Sequence, residues 1–367
     1  METSQQATSK PILVGAPLSL SGRYALQGRL AAAGLNQVVR DVAAAGGVAV
    51  GEDRLVPRVA ILDDGSTRKG VMKALDMLAE ADLLLGPYGS DLVVEAARWA
   101  SEHGRVLWNH GGSADDSQRL GGLISVASPA SRYLACVLEA IAPSLPNARV
   151  WLAVGPGRFA HNAAEGARGA AQRLGMTVTR VTQHADVPDS PDVDVLLCAG
   201  AFTDDLALVA RLRRRPAAVG AVAAGLWPFG VQLRQRADGV LGPSQWEEGA
   251  RFAVDVGSNQ AQVLRALRAA AVESLRTGWV GQHVDYPAAQ AYAAGTIAFH
   301  AAGQAGSIED RELEAAARRM RCTTFFGRFG LGGDGRQADH EMLVVQWQES
   351  VKRIVWPSSL AETTLSL

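Results

Sequence analysis

His110-Gly111-Gly112-Ser113 has the composition of a backbone oxyanion loop, with two glycines leaving N–H groups unshielded and a hydroxyl after them. Acyl transfer on such a loop also needs a Gly-x-Ser-x-Gly turn to expose the nucleophile, and the chain contains no such pentapeptide. Gly155-Pro156-Gly157-Arg158-Phe159-Ala160 fits the G-x-G-x-x-A pattern of a dinucleotide-binding turn. The acidic residue that should meet the ribose arrives only at Asp186, several residues late, so the segment reads better as an ordinary strand-to-helix turn. The histidines are dispersed without HExxH, and Cys136, Cys198 and Cys322 form no CxxC. No metal site, disulfide or cofactor is therefore assigned, no phosphate loop is present, and Cys198 in Val195–Ala199 reads as a small core residue. Chemistry in the catalytic sense is not expected; binding is.

The elements that must position these residues are those of an α/β protein. Apolar runs at 12–18, 55–62, 82–85 and 105–108 alternate with amphipathic stretches at 24–45, 67–80 and 90–102. A second such series starts after Ser128-Pro129 and runs to about Leu241, and a mostly helical tail follows at 259–276, 288–302 and 308–321 before the alternating run Met342–Trp347. Short connections between strongly apolar strands mark doubly wound, mostly parallel sheets covered by helices. Ligands of such sheets sit outside the strand carboxyl ends. Those ends are small and polar here: Ser19-Leu20-Ser21-Gly22, Gly86-Pro87-Tyr88-Gly89-Ser90, and Asn109 through Ser113. Helix N-termini beside them would favour a carboxylate or other anionic head, with simple helix capping by Ser90 and Ser113 as the alternative.

Composition narrows the partners. Among 367 residues, 36 Lys+Arg balance 37 Asp+Glu, which leaves no basic excess for nucleic acid. With 48% apolar and 20% charged residues the chain is an ordinary globular sequence, long enough for two domains. No apolar run reaches the ~18 residues of a membrane span, and the polar start 1–10 has no secretory h-region. Aromatic residues are only 6%, yet eight are Trp. Two of them, Trp227 and Trp246, would suit an apolar or aromatic ligand body, or else core packing.

Several segments, in order, resemble the branched-chain amino-acid binding proteins, the solute receptors of ABC importers. They are Leu18–Gly22, Asp41–Gly47, Asp63-Asp64-Gly65-Ser66, Gly86–Ser90, Thr324–Gly327, Gly333–Arg336, Val344–Trp347 and Trp356-Pro357. The resemblance spans about 11–358. It implies a two-lobed type I periplasmic-binding-protein fold, with two doubly wound sheets joined by a three-crossing hinge near Ser128-Pro129, Pro243–Trp246 and Thr323–Gly327. The N-terminal lobe would comprise 11–128 plus 246–325 and the C-terminal lobe 129–245 plus 326–358, with flexible ends at 1–10 and 359–367. Ligand would lie in the interlobe cleft, held at its carboxylate by Ser90, Gly111 and Ser113 with Gly112 and Tyr88 alongside. Phe159 and Tyr292, with Tyr286 as a substitute, match the aromatic positions of the family.

One departure from the family is visible. Relatives that bind α-amino acids place an acid in the second lobe for the ammonium, whereas the corresponding stretch here is Gly225-Leu226-Trp227-Pro228-Phe229. Either Asp204 or its neighbour Asp205 substitutes, or the ligand has no free amine, because an unpaired buried ammonium is costly. The expectation is a non-enzymatic, monomeric receptor for an amino acid or related small carboxylate or amide, serving a membrane permease from the periplasm or cell surface. A cytoplasmic ligand-sensing regulator on the same fold is the alternative, favoured by the signal-free start.

Overall fold

A computed structural model describes residues 10–275 and 283–367. Along the chain run β1 (Lys10–Leu18), α1 (Ala25–Ala44), β2 (Val48–Val50), β3 (Asp53–Asp63), α2 (Arg68–Met77), β4 (Leu83–Leu85), α3 (Ser90–Glu102), β5 (Leu107–Asn109) and β6 (Leu123–Ser125). Next come α4 (Tyr133–Ile141), β7 (Arg149–Val154), α5 (Arg158–Arg173), β8 (Thr177–Thr182), β9 (Val195–Ala199), α6 (Phe202–Arg211), β10 (Ala218–Ala221), α7 (Trp227–Leu233) and β11 (Leu241–Ser244). The remainder is α8 (Gln260–Leu275), α9 (Tyr286–Ala305), α10 (Asp310–Arg319), the hairpin β12 (Arg321–Thr324) with β13 (Gly327–Gly330), and β14 (Leu343–Gln348) with β15 (Val351–Trp356).

The chain divides into two compact units. The first takes the chain up to Ala127 and returns with Phe252–His340; the second takes Ser128–Arg251 and Glu341–Leu367. The third crossing thus follows His340, which corrects the expected position at Thr323–Gly327. The cause is local bonding. Gln337 donates from Nε2 to Val126 O at 3.2 Å, and Arg336 holds Asp115 at 2.7 Å, so the glycine-rich segment after β13 is tied to the first unit.

In unit 1 the sheet order is β2-β3-β1-β4-β5-β6, parallel except for the antiparallel edge strand β2. Strands such as Leu83-Leu84-Leu85 are buried on both faces, as a helix-covered parallel sheet requires. Leu84, Leu107, Val93 and Trp99 pack together on the α2/α3 face. On this sheet β1 lies between β3 and β4, so the chain order reverses beside it. The loops after β1 and β4 therefore flank the topological switch point, where a crevice opens.

Unit 2 repeats the plan in the order β15-β14-β11-β10-β9-β7-β8, with β14 antiparallel to both its neighbours, β11 and β15. Here β7 lies between β8 and β9, which puts the switch point at the loops following β7 and β9. Two cores cover the sheet: Val150, Leu152 and Leu197 against α4 and α5, and Leu196, Cys198 and Val209 on the other face. Cys198 is a buried thiol pushed far up by burial, in keeping with a packing role.

Candidate functional site

In unit 1 the loop after β4 is fixed by backbone contacts to the loop after β5. Gly86 N donates to Trp108 O at 3.1 Å, Gly89 N donates to Gly111 O at 2.9 Å, and Tyr88 bridges Gly111 as a parallel pair. Gly89 precedes α3 at φ 102, and a Cβ there would stand 2.6 Å from the Tyr24 ring. Glycine is needed at that point because both the conformation and the space exclude a side chain. Ser90, the first residue of α3, is thereby set at the helix N-terminus beside the neighbouring loop.

Ser90 Oγ accepts hydrogen bonds from Ser113 N at 3.2 Å and Ala114 N at 3.1 Å. A hydroxyl has two acceptor lone pairs and one donor. With both lone pairs engaged, the hydroxyl has only its proton left to donate. The partner loop is held by Asn109, whose Oδ1 accepts from Gly111 N at 3.1 Å and Gly112 N at 2.8 Å. The Asn109 Nδ2 donates to Gly112 O and to Ser125 Oγ, each at 2.6 Å. Ser113 is buried, Gly111 and Tyr88 are half-buried, and the Tyr88 ring centroid stands 6.1 Å from that of Tyr24. Ser125 and Tyr24 escaped the sequence reading, which takes Asn109 only as part of the strand-end loop. Tyr24 alone left a signal, an aromatic directly after the Ser-Gly loop.

His110 lies beneath this loop with no exposed surface, and burial lowers its pKa to about 4. The imidazole is neutral near pH 7 and supplies no charge to an incoming anion. The Ser19–Gly22 and Asp63–Ser66 loops are bonded to each other. Ser19 Oγ donates to Asp64 Oδ1 at 2.7 Å, Ser21 Oγ donates to Asp63 Oδ2 at 2.7 Å, and Ser66 Oγ donates to Ser21 O at 2.7 Å. Desolvation pushes the Asp63 carboxyl upward, but hydrogen bonds from Ser21, Gly65 and Leu20 outweigh it and hold it below the usual range. These two motifs build the rim of the crevice.

Unit 2 presents its own pair of loops. Phe159 stands in the first turn of α5, edge-on to Tyr133 with centroids 4.9 Å apart. Of the two acids opening α6, Asp204 is exposed and Asp205 is fully buried. Asp205 Oδ1 lies 2.7 Å from His184 Nε2, and its Oδ2 accepts from Ala223 N at 3.1 Å. Asp205 is thus a structural tie between loops, and Asp204 is the acid left facing solvent at the carboxyl end of β9.

Three further sequence candidates have the following surroundings. Trp227 stacks edge-on against Trp347 with centroids 5.3 Å apart and lines a groove of about 770 Å³ with Gly230, Arg234 and Ser350. Ser350 is in the β14–β15 turn, and β14 runs against the parallel strands, so this groove lies toward their amino ends rather than with Phe159 and Asp204. Trp246 is 1% exposed, and its carbonyl accepts from Ser244 Oγ at 2.9 Å. Tyr292 donates to Asp41 Oδ2 at 2.7 Å, in the last turn of α1. Because α1 descends from the carboxyl end of β1, its last turn marks the opposite end of the sheet. Tyr286 opens α9, buried, and stands nearer the candidate loops than Tyr292 does.

Two doubly wound α/β units connected by three crossings, each with polar loops at its switch point, define the class of fold. The family model described as "Periplasmic binding protein" matches residues 11–352, and the chain belongs to that family of solute-binding proteins. Its fold is shared by the substrate-binding protein LivJ of Streptococcus pneumoniae in complex with isoleucine, at 18% identity and TM-score 0.76 over 95% of this chain and 100% of that one. It is shared too by a solute-binding protein of R. palustris in complex with benzoate, at 16% identity and TM-score 0.74 over 94% and 95%. The leucine-binding protein LivK of Thermotoga maritima, at 13% identity, gives a TM-score of 0.76 over 94% and 97%. No curated protein sequence matches the chain.

Proposed function

We propose that the chain is the solute receptor of an ABC-type importer and captures an amino acid or a related small carboxylate or amide. The observation that carries this reading is Ser90. Its hydroxyl, fixed by two backbone N–H donors at the N-terminus of α3, has only a proton to offer. An anionic or carbonyl head is the complement of that proton and of the helix dipole. Phe159 would cover an apolar body, and Asp204 would decide whether an amine is accepted. Asp205 is already bound to His184 and Ala223 and would not serve. The neighbours described with isoleucine and with benzoate bracket the ligand class, a small carboxylate with or without an amine. On this reading, binding shifts the hinge equilibrium toward the form a membrane permease reads, and the protein would work in the periplasm or on the cell surface.

The test is a thermal-shift screen of amino acids, their deaminated acids, amides and aromatic acids, followed by calorimetry on the hit. One compound should raise the melting temperature, and Ser90→Ala should weaken it at least tenfold. Asp204→Asn should weaken amine-bearing ligands only. A screen without any shift, or full affinity in Ser90→Ala, would sink the reading.

A further inference from the structure

We propose that unit 1 carries a second small-molecule site, at the amino-terminal end of its sheet, that takes an organic ammonium with an apolar body. A cavity of about 480 Å³ lies between the last turn of α1, the last turns of α9, the edge strand β2 and the turn 256–258. That volume is within the range of sites for small ligands, about 300–1,000 Å³. Val42, Val48 and Phe299 supply apolar wall, and Asp41, Ser258 and Tyr292 supply polar groups. Gly257 lets the turn approach α9: its φ is +86, and a Cβ there would stand 2.8 Å from Thr296 Cγ2.

Asp41 is the charged side chain of the cavity wall; Arg54, outside the wall, donates to Gly47 O at 3.2 Å. Asp41 Oδ1 accepts from Gln37 Nε2 and Oδ2 from Tyr292 O–H, both at 2.7 Å, and both donors are neutral. Among the described residues no cation pairs with the Asp41 carboxylate. Burial and the Asp41 charge both raise the Tyr292 phenol, so it stays protonated and donating. His300, the one basic side chain in the wall, is lowered by burial against the opposing field of Asp255, and it is neutral near pH 7.

The backbone adds to the same sign. Tyr292 meets Asp41, and a Cβ on Gly34 would strike Ala288 O, so α1 and α9 run in the same direction. Both helices therefore end at the cavity, and helix C-termini carry the negative end of the dipole. A single carboxylate with neutral hydroxyls suits one ammonium group rather than a metal ion, and the apolar wall suits a hydrocarbon body. Tyr292 thus faces a ligand site of different sign from the one its sequence position suggests.

The test is calorimetry of the full chain with 2-phenylethylammonium chloride at pH 7, beside 2-phenylethanol as the neutral isostere. The ammonium should bind at least tenfold more tightly than the alcohol. Asp41→Asn should remove that preference, and Val48→Trp should block both compounds from the rim with Asp41 left intact. Ser90→Ala separates this site from the one under Proposed function, since the ammonium should bind that variant unchanged. Equal affinity for ammonium and alcohol, unaltered preference in Asp41→Asn, unaltered binding in Val48→Trp, or loss of ammonium binding in Ser90→Ala would each overturn the proposal.

Discussion

The two ends of the sheet in unit 1 are built from the same strands and helices, and they offer opposite chemistry. At the carboxyl end, α3 begins, and Ser90 and the loop after β5 present hydroxyls and backbone N–H groups. At the amino end, α1 and α9 finish, and Asp41 supplies a carboxylate whose donors are the neutral Gln37 and Tyr292. The polarity follows from parallel topology. Every βα connection puts a helix start above the sheet and a helix end below it, so donors gather at one end and acceptors at the other. One fold can therefore host an anion site and a cation site without any change of architecture.

The largest expected effect is a break in this arrangement by acid. His110 beneath the carboxyl-end loops and His340 beside Phe326 are both buried, with pKa values lowered to about 4 chiefly by burial. The unfolded chain binds protons on these groups near pH 6.5, so it holds more protons than the folded chain at any pH between about 4 and 6.5. Stability is therefore full above pH 6.5 and declines as pH falls toward 4, by a limit of about 3 kcal/mol for each histidine. Urea midpoints at pH 7, 5.5 and 4.5 check the decline. Replacing His110 by Phe should flatten it by about half, and a pH-independent midpoint would show that the imidazole is solvated.

Next in size is the structural share of Ser90. Ser90→Ala leaves Ser113 N and Ala114 N without their acceptor in a buried loop, a loss of about 1–3 kcal/mol. The cost should appear in ligand-free protein as a lower urea midpoint with an unchanged slope. Stability equal to the parent's would mean that water replaces the hydroxyl, and that Ser90 is not the post on which the loop after β5 hangs.

The sequence made the carboxyl end legible because its information is local. An apolar strand, a glycine turn and a helix start lie within a few residues of one another, as at Leu83–Ser90 and Leu107–Ser113. The amino end was illegible for the converse reason: Asp41 and Tyr292 meet only through the packing of two helices distant in sequence. Adjacent identical residues posed a different difficulty. Asp204 and Asp205 differ by about 100° of helix rotation, which alone decides that one is solvated and the other bound to His184. The third crossing was misplaced because Gln337 and Arg336 draw the segment after β13 back to unit 1, through bonds that no turn motif announces. Trp227 followed a similar course, since it opens α7, a helix absent from the sequence reading, and lines a groove with Ser350 of the β14–β15 turn.

The smallest expected effect tests whether the amino end is held by its own hydrogen bond or only by packing. Tyr292→Phe deletes the donor to Asp41 and keeps the ring, which stands edge-on to Phe325 at 5.3 Å. Asp41 is half-buried, so water can take the vacated position and the loss of stability should be about 1 kcal/mol. That is below the loss at Ser90, where the orphaned groups are backbone N–H donors in a buried loop. The ordering is the informative quantity. If Tyr292→Phe costs more than Ser90→Ala, the phenol is a stability device for the α1–α9 contact, and the cavity beside it has no need of a ligand. If it costs less while the preference for 2-phenylethylammonium over 2-phenylethanol drops severalfold, the hydroxyl acts by holding the carboxylate toward an incoming cation.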